Sequence, residues 1–443
     1  MTLSATSEIR VRDLPSRGIT VLPLESLDES HSSPWPEWFR HDQQKAWDLY
    51  ESLPMPKRND EPWRFANLKA LDLSEFQPAM PVKDKAVLIV RSSGLADLAA
   101  KLVFANNALI HREVAGLPPG VLLLPLEQAA TEHEELFRKH FMSTEVRLGS
   151  KKFAALHRAR LRSGAFVHVP KGVVIERPIE IWHWVEGKDA TILPHTLIVL
   201  GEGASATVID RFISSRDERS LALAVNDLTL GQGARLSYIG VQEWSDKATA
   251  FHLNTTEVER DALSTALQMN FGGSYIRGES DSHLLGEGSR SVMLSINPAN
   301  GTREIDQRTF QDHFSPRATS DLLYHNALAD SSKTIFAGLI KVEEAAHETD
   351  AYQKVRNLML SDEAEANSMP GLEILADNVR CTHGATSGEL NEDELFYMMA
   401  RGIAPKQAAQ LIVRGFFGTV LERLENEDLQ AHLGEILDRR LNL

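Results

Sequence analysis

From about Phe166 onward the chain loses helical periodicity, and it does not return until after Gly388. Short apolar or alternating runs replace it: "HTLIVL", "ATVIDRFI", "LALAVNDLTL", "ARLSYIGV", "SVMLSI", "TIFAGLI" and "LMLS". Runs of this length, bounded by turn residues, read as strands. A related corner separates several of them. It is "LGEGA" at 200, "LGQGA" at 230 and "LGEGS" at 285, then loosely "LADSS" at 328 and "LSDEA" at 360. Glycines and short polar residues suit sharp corners that need unusual φ. The offsets are 30, 55, 43 and 32 residues, too irregular for one repeat length. Recurring strand–corner–strand units predict a solenoid whose turns share a core. The same alternation suits a jelly roll or β-sandwich, so periodicity leaves both open.

Helices are expected on both flanks. "PEWFRHDQQKAWDLYESL" (36–53) places Phe39, Ala46, Trp47, Tyr50 and Leu53 near helical spacing, with Pro36 suited to a first turn. "EPWRFANLKAL" (61–71) leads into a Pro-interrupted linker. "AVLIVRS" (86–92) and "GVLLLPL" (120–126) read as short buried strands separated by "GLPPG", and 127–141 and 151–161 as helices. After Gly388, "NEDELFYMMARG" opens with Asn391 and carries Glu394 at capping-box spacing, and Gly402 can end that helix. A second helix, 405–424, puts Ala408, Leu411, Ile412, Phe416, Val420 and Leu424 on one stripe, and 427–441 is a third. This divides the chain into a mixed N-terminal region (1–150), a β-core (151–388) and a C-terminal helical region (389–443).

With 443 residues the chain can hold two or three domains, and its balance of 42% apolar and 25% charged residues is that of a soluble globular protein. No apolar run is long enough to span a membrane, and no apolar core of a secretory signal is readable near the N-terminus. A net charge of −15 without a segregated basic cluster argues against nucleic acid. One cysteine forbids an internal disulfide and suits a reducing compartment. The chain has no Walker loop, so no ATP site of that type is expected, and it lacks a nucleophile elbow, a zincin motif and a complete dinucleotide fingerprint. Pairs such as Asp281 and His283 read as a solvated loop.

The lone cysteine lies in "VRCTHGATSG" (379–388), two residues before His383. If this stretch is extended, Cys381 and His383 point to the same face, roughly 6.5–7 Å apart along the strand. Side chains so placed can lean onto one iron or zinc ion. They make half a site, because tetrahedral zinc needs about four ligands and an iron–sulfur cluster several thiolates. Any cluster must therefore be shared with another chain or be transient. The plain alternative is a packed thiol beside a hydrogen-bonded histidine.

The segment 349–413 resembles the C-terminal part of the SufB/SufD family of iron–sulfur cluster assembly proteins. The resemblance rests on the acidic, small-residue turn before Met369–Pro370, on "HGAT" at 383–386, on "DELFY" at 393–397, and on "RGI" followed by an Ala- and Gln-rich helix. Upstream, "EPWRFANL" resembles the family's E-x-W-[KR]-[YF]-T element, with Ala66 replacing the common threonine, and 164–183 resembles the entry into its β-domain. The strand pair before Pro370 lacks the cysteines of SufB-type chains, and "CTHGAT" follows the SufD pattern.

The resemblance implies a mainly β fold: a right-handed parallel β-helix core flanked by N-terminal and C-terminal helical regions. It implies a non-catalytic scaffold subunit in the cytoplasm (or a plastid). Such a subunit pairs with SufB through the β-helices and docks the ATPase SufC on its C-terminal helices. His383, then Cys381, are the residues it points to as metal ligands, at a transient iron–sulfur cluster shared with SufB. A homodimer in the absence of SufB is a further expectation. Two other readings stay open on the residues alone: a carbohydrate-active β-helix enzyme and a metal-free homodimeric binding module.

Overall fold

The computed structural model describes residues 34–441 together with the two-residue strand Thr20–Val21. The stretch before Ser16, where no secretory signal is readable, lies outside the described residues. The core is a β-solenoid of about 8 turns, which decides between the solenoid and the sandwich. Each turn gives one strand to each of two sheets. One sheet runs Ile179–Val185, Ser205–Ser214, Arg235–Glu243, Leu263–Asn270, Arg290–Ala299, Thr319–Leu328, Asp350–Met359 and Arg380–Glu389. We call it the first sheet. The second runs Ala165–Val169, His195–Leu200, Ser220–Leu230, Thr249–Val258, Tyr275–Leu284, Glu304–His313, Lys333–Val342 and Glu365–Ile374. All pairs between successive turns are parallel, so crossovers join the two sheets rather than hairpins.

The corners from the second sheet to the first are strict. Residues 203, 233, 261, 288, 317, 348 and 378 all have φ between 54° and 71°. They recur every 27–31 residues, a repeat the sequence conceals because only three of them are glycine. Asp261, Arg317, Glu348 and Asn378 fill the others, at some conformational cost. The expected corners at 328 and 360 belong to the opposite edge, which explains the irregular offsets.

Stacking is in register, so inward residues form columns. Asn270 donates to Asn297, Asn297 to Asn326, and Asn326 to Asn357, at 2.8–2.9 Å, and Asn357 donates to Ser387 at 3.2 Å. The interior is apolar around Ile179, Val208 and Leu236 and becomes polar towards the C-terminal turns.

Both sheets are covered outside, which is why strand Glu304–His313 is buried on both faces. The helices Pro405–Leu421 and Glu427–Arg440 lie on the first sheet and bury Val413, Phe417, Val420 and Leu433 against Ile239, Leu267, Leu294 and Leu323. The buried stripe is thus rotated from the expected one, and Leu411 is exposed. On the second sheet, Phe39 of helix Glu37–Ser52 and Phe153 of helix Lys151–Arg160 join Trp35, Phe137 and Phe141 in an aromatic cluster over Phe251. Two expectations change in this region. Residues 86–92 are not a strand: Lys85–Arg91 is a helix, capped by Asp84 accepting from the Val87 amide. The helix expected over 127–141 breaks at His133 into Leu126–Glu132 and Glu134–His140. A hairpin of Ala100–Ala105 and Ala108–Val114, turning on left-handed Asn106 and Asn107, adds to the first sheet.

Arg277 locks the N-terminal region to the second sheet. Its guanidinium is fully buried between Glu279 at 2.7 Å and Asp306, stacks 3.7 Å from the Trp63 ring, and donates to the carbonyls of Pro62 and Leu148. Arg308 pairs with Asp306 and reaches the Arg64 carbonyl, while Glu304 accepts from the Asn67 amide. Replacing only Arg277 leaves the buried Glu279 without a cation and Asp306 with Arg308 alone, and breaking a buried pair in this way costs about 3–5 kcal/mol. Arg277→Met should therefore lower the thermal unfolding midpoint by several degrees and expose Trp63 to fluorescence quenchers.

Candidate functional site

The solenoid ends in two strands that each have one unpaired edge. Arg380–Glu389 bonds only to Asp350–Met359, and Glu365–Ile374 only to Lys333–Val342. In the first of these, Cys381 stacks on Ala351, His383 on Gln353, Ala385 on Val355 and Ser387 on Asn357. The stretch is extended as expected, so Cys381 and His383 share the inward face. Among the described residues, no further turn lies above them. An inward position on the last turn is therefore an open one: His383 is exposed and Cys381 half-buried.

The two side chains sit in different surroundings. Cys381 packs on a cluster of Ile340, Val342, Ala346, Ala351 and Ala376. Burial pushes its thiol pKa up, and the charge of Asp350 adds to the shift, against a backbone hydrogen bond from Ala351. His383, on the same inward face, is open to solvent. Among the described residues, no three His, Cys, Asp or Glu side chains gather as a metal-ligand set. What the end offers is one sulfur and one imidazole, with free backbone edges on either side.

Helix Glu392–Ala400 follows directly, capped by the Asn391 side chain accepting from the amides of Asp393 and Glu394. None of its residues is buried. Phe396 is 71% exposed and Tyr397 58%, and Met399 and Leu411 lie open beside them. So much exposed apolar surface on one short helix is the unusual feature of this region. An amphipathic reading of the sequence assumes that such residues pack inward. Arg401 lies 4.5 Å from the Tyr397 ring and flanks the patch.

Asp281 and His283 are not in a solvated loop. Both are buried on strand Tyr275–Leu284, where Arg147 bridges Asp281, Asp312 and the His283 ring. Both side chains face out of the second sheet, and the 142–150 segment covers them. Spacing alone could not show that cover. The carboxylates of this face are thus paired with Arg147, Arg277 and Arg308 rather than set around an open cleft, contrary to what a carbohydrate-active site requires. No described helix is long and apolar enough to cross a membrane.

Comparison with known proteins gives a consistent picture. Residues 183–416 match the family described as "SUF system FeS cluster assembly, SufBD core domain", and residues 27–181 match the "SufBD protein N-terminal region". The chain is 27% identical over 430 residues to the iron–sulfur cluster assembly protein SufD of Bacillus subtilis, covering 94% of this chain and 97% of that protein. It is 27% identical over 413 residues to a SufBD family protein of Synechocystis, covering 90% of each. To the SufB protein of Bacillus subtilis it is 26% identical over 309 residues, covering 70% of this chain and 66% of that one.

The shifted thiol has a measurable consequence. Only the thiolate alkylates, and the neutral form is the one this site favours. Iodoacetamide should therefore label Cys381 in the folded protein with a pH midpoint above that of a free cysteine, and unfolding in urea should restore the ordinary midpoint.

Proposed function

Since this chain belongs to the SufBD family of iron–sulfur cluster assembly proteins and is SufD-like, we propose that it is a non-catalytic scaffold subunit that contributes ligands, not turnover. Its open last turn pairs with the corresponding end of a SufB-type chain. His383 is the principal iron ligand this chain brings to the seam, and Cys381 the second. The observation that carries this reading is the placement of an exposed imidazole and a half-buried thiol on the inward face of a turn that nothing stacks on. Two donors leave a coordination sphere incomplete, so the partner supplies the rest. The cluster is cargo, built at the seam and passed on. In isolation the same open end would favour a homodimer, and the cytoplasm is the compartment that suits the free thiol.

The C-terminal helices dock a SufC-type ATPase. Phe396, Tyr397 and Met399 supply an apolar contact that a purely capping role leaves unexplained. The linkage to the ligand end is short. Helix Pro405–Leu421 is tied to the first sheet by His325, whose Nδ1–H donates to the Phe416 carbonyl at 2.8 Å and whose ring stacks on Phe416 at 4.2 Å, and by Arg423 bonded to Asp321. ATP-driven closure of two ATPase subunits would pull on these helices and open the seam. Nucleotide drives that change only through its different affinity for the open and closed states.

The test is co-purification with SufB-type and SufC-type partners, followed by cluster loading from iron and sulfide. His383→Ala should leave the complex assembled and slow loading at least tenfold. Loading at the parental rate would overturn the ligand role and favour a metal-free binding module. Phe396→Asp should abolish retention of the ATPase while pairing with the SufB-type chain persists. Retention by that variant would leave the helices as a cap on the solenoid.

A further inference from the structure

Directly beneath His383 in the inward column lies Gln353. It is 0% exposed, and neither its amide oxygen nor its amide nitrogen has a hydrogen-bond partner in the protein. A buried amide left unpaired is destabilising, because it gives up its water without a replacement. The neighbouring inward amides avoid that cost: Asn297, Asn326 and Asn357 are all bonded along their ladder. Gln353 stands apart from that arrangement.

The strand opposite makes room for it. A methyl group at Gly338 would come within 2.6 Å of Gln353 Oε1, of Thr309 Oγ1 and of the Phe336 ring. Gly338 has no left-handed φ, so close approach rather than backbone freedom calls for glycine there. Thr309 Oγ1 also lacks a partner in the protein. The amide of Gln353 thus reaches across the solenoid into a small polar space one turn below the ligand end. Successive strands lie about 4.8 Å apart, so the amide is within reach of the ring above, directly or through one water.

We infer that Gln353 is a positioning residue for His383: its amide oxygen accepts the hydrogen bond from the imidazole N–H turned into the solenoid. Neutral imidazole has one N–H. Fixing that hydrogen on the inner nitrogen leaves the lone pair on the outer one, which is the nitrogen a metal at the seam can use. The inference rests on the ligand role proposed for His383, and it gives the unpaired amide oxygen a partner.

The test uses the full-length, metal-free protein with 15N-labelled histidine. The His383 ring signals are assigned by their loss in His383→Ala. At pH 8 the parent should show one dominant tautomer. Gln353→Met, close in shape but without the acceptor, should show a mixture of the two, and Gln353→Glu should restore one. Gly338→Ala, which displaces the amide while keeping Gln353, should mix the tautomers as well and keeps the question open to test if the methionine variant fails to fold. In the complex with SufB-type and SufC-type partners, Gln353→Met should slow cluster loading roughly tenfold.

Parental tautomer signals in both Gln353→Met and Gly338→Ala would overturn the inference while leaving the ligand role of His383 intact. Normal loading in His383→Ala would instead overturn the ligand role, whatever the ring signals show.

Discussion

Parallel stacking in strict register is the constraint from which the other features follow. Each strand sits on its predecessor without slipping, so whether a side chain points in or out is inherited from turn to turn. The asparagine column is one product of that inheritance. The row of left-handed corners is another, because every turn must bend back at the same height. The orientation of Cys381 and His383 is a third. They point inward because Ala351 and Gln353 do, and they are open because the chain leaves the solenoid at the end of this strand, after Glu389. The last turn thus presents interior positions without a roof.

The outer faces follow a complementary logic. Helices from the C-terminal region cover the first sheet, and N-terminal segments cover the second. The two covers use different physics. The first is chiefly aliphatic packing around Val413, Phe417 and Leu433. The second adds buried ion pairs, with Arg277, Arg308 and Arg147 threaded between carboxylates of neighbouring strands. Pairs of this kind give little net stability but punish misplacement heavily, which suits an element that must find one position on a repetitive surface. A solenoid face looks alike from turn to turn, and charge order can mark where on it the strap belongs.

Much of this was legible in the sequence, and what was not has physical causes. The apolar runs marked the strands, and the caps and spacing marked all three C-terminal helices. The repeat stayed hidden because the corner that bends at every turn tolerates aspartate, arginine, glutamate and asparagine as well as glycine, while similar-looking motifs sit on the opposite edge. "AVLIVRS" has no periodicity to separate strand from helix, and the cap at Asp84 was the signal that would have done so. The hairpin at Asn106–Asn107 was missed although paired asparagines favour such turns. On the last turn, the shared face of Cys381 and His383 could be read from their spacing. The exposure of His383 could not, since it depends on what lies above the last turn. Gln353 carries no local signature at all, and only the register reveals what it lies beneath.

The strap through Trp63, Arg147 and Arg277 reaches strands from Ser220–Leu230 through Lys333–Val342 and stops there. The final turn, from Glu365 to Glu389, is held chiefly by the backbone ladders beneath it. The molecule is therefore stiff along most of its length and compliant at one tip, where fraying by a single turn sacrifices few contacts. Such grading leaves the open tip free to adjust its shape while the rest of the rod keeps its geometry.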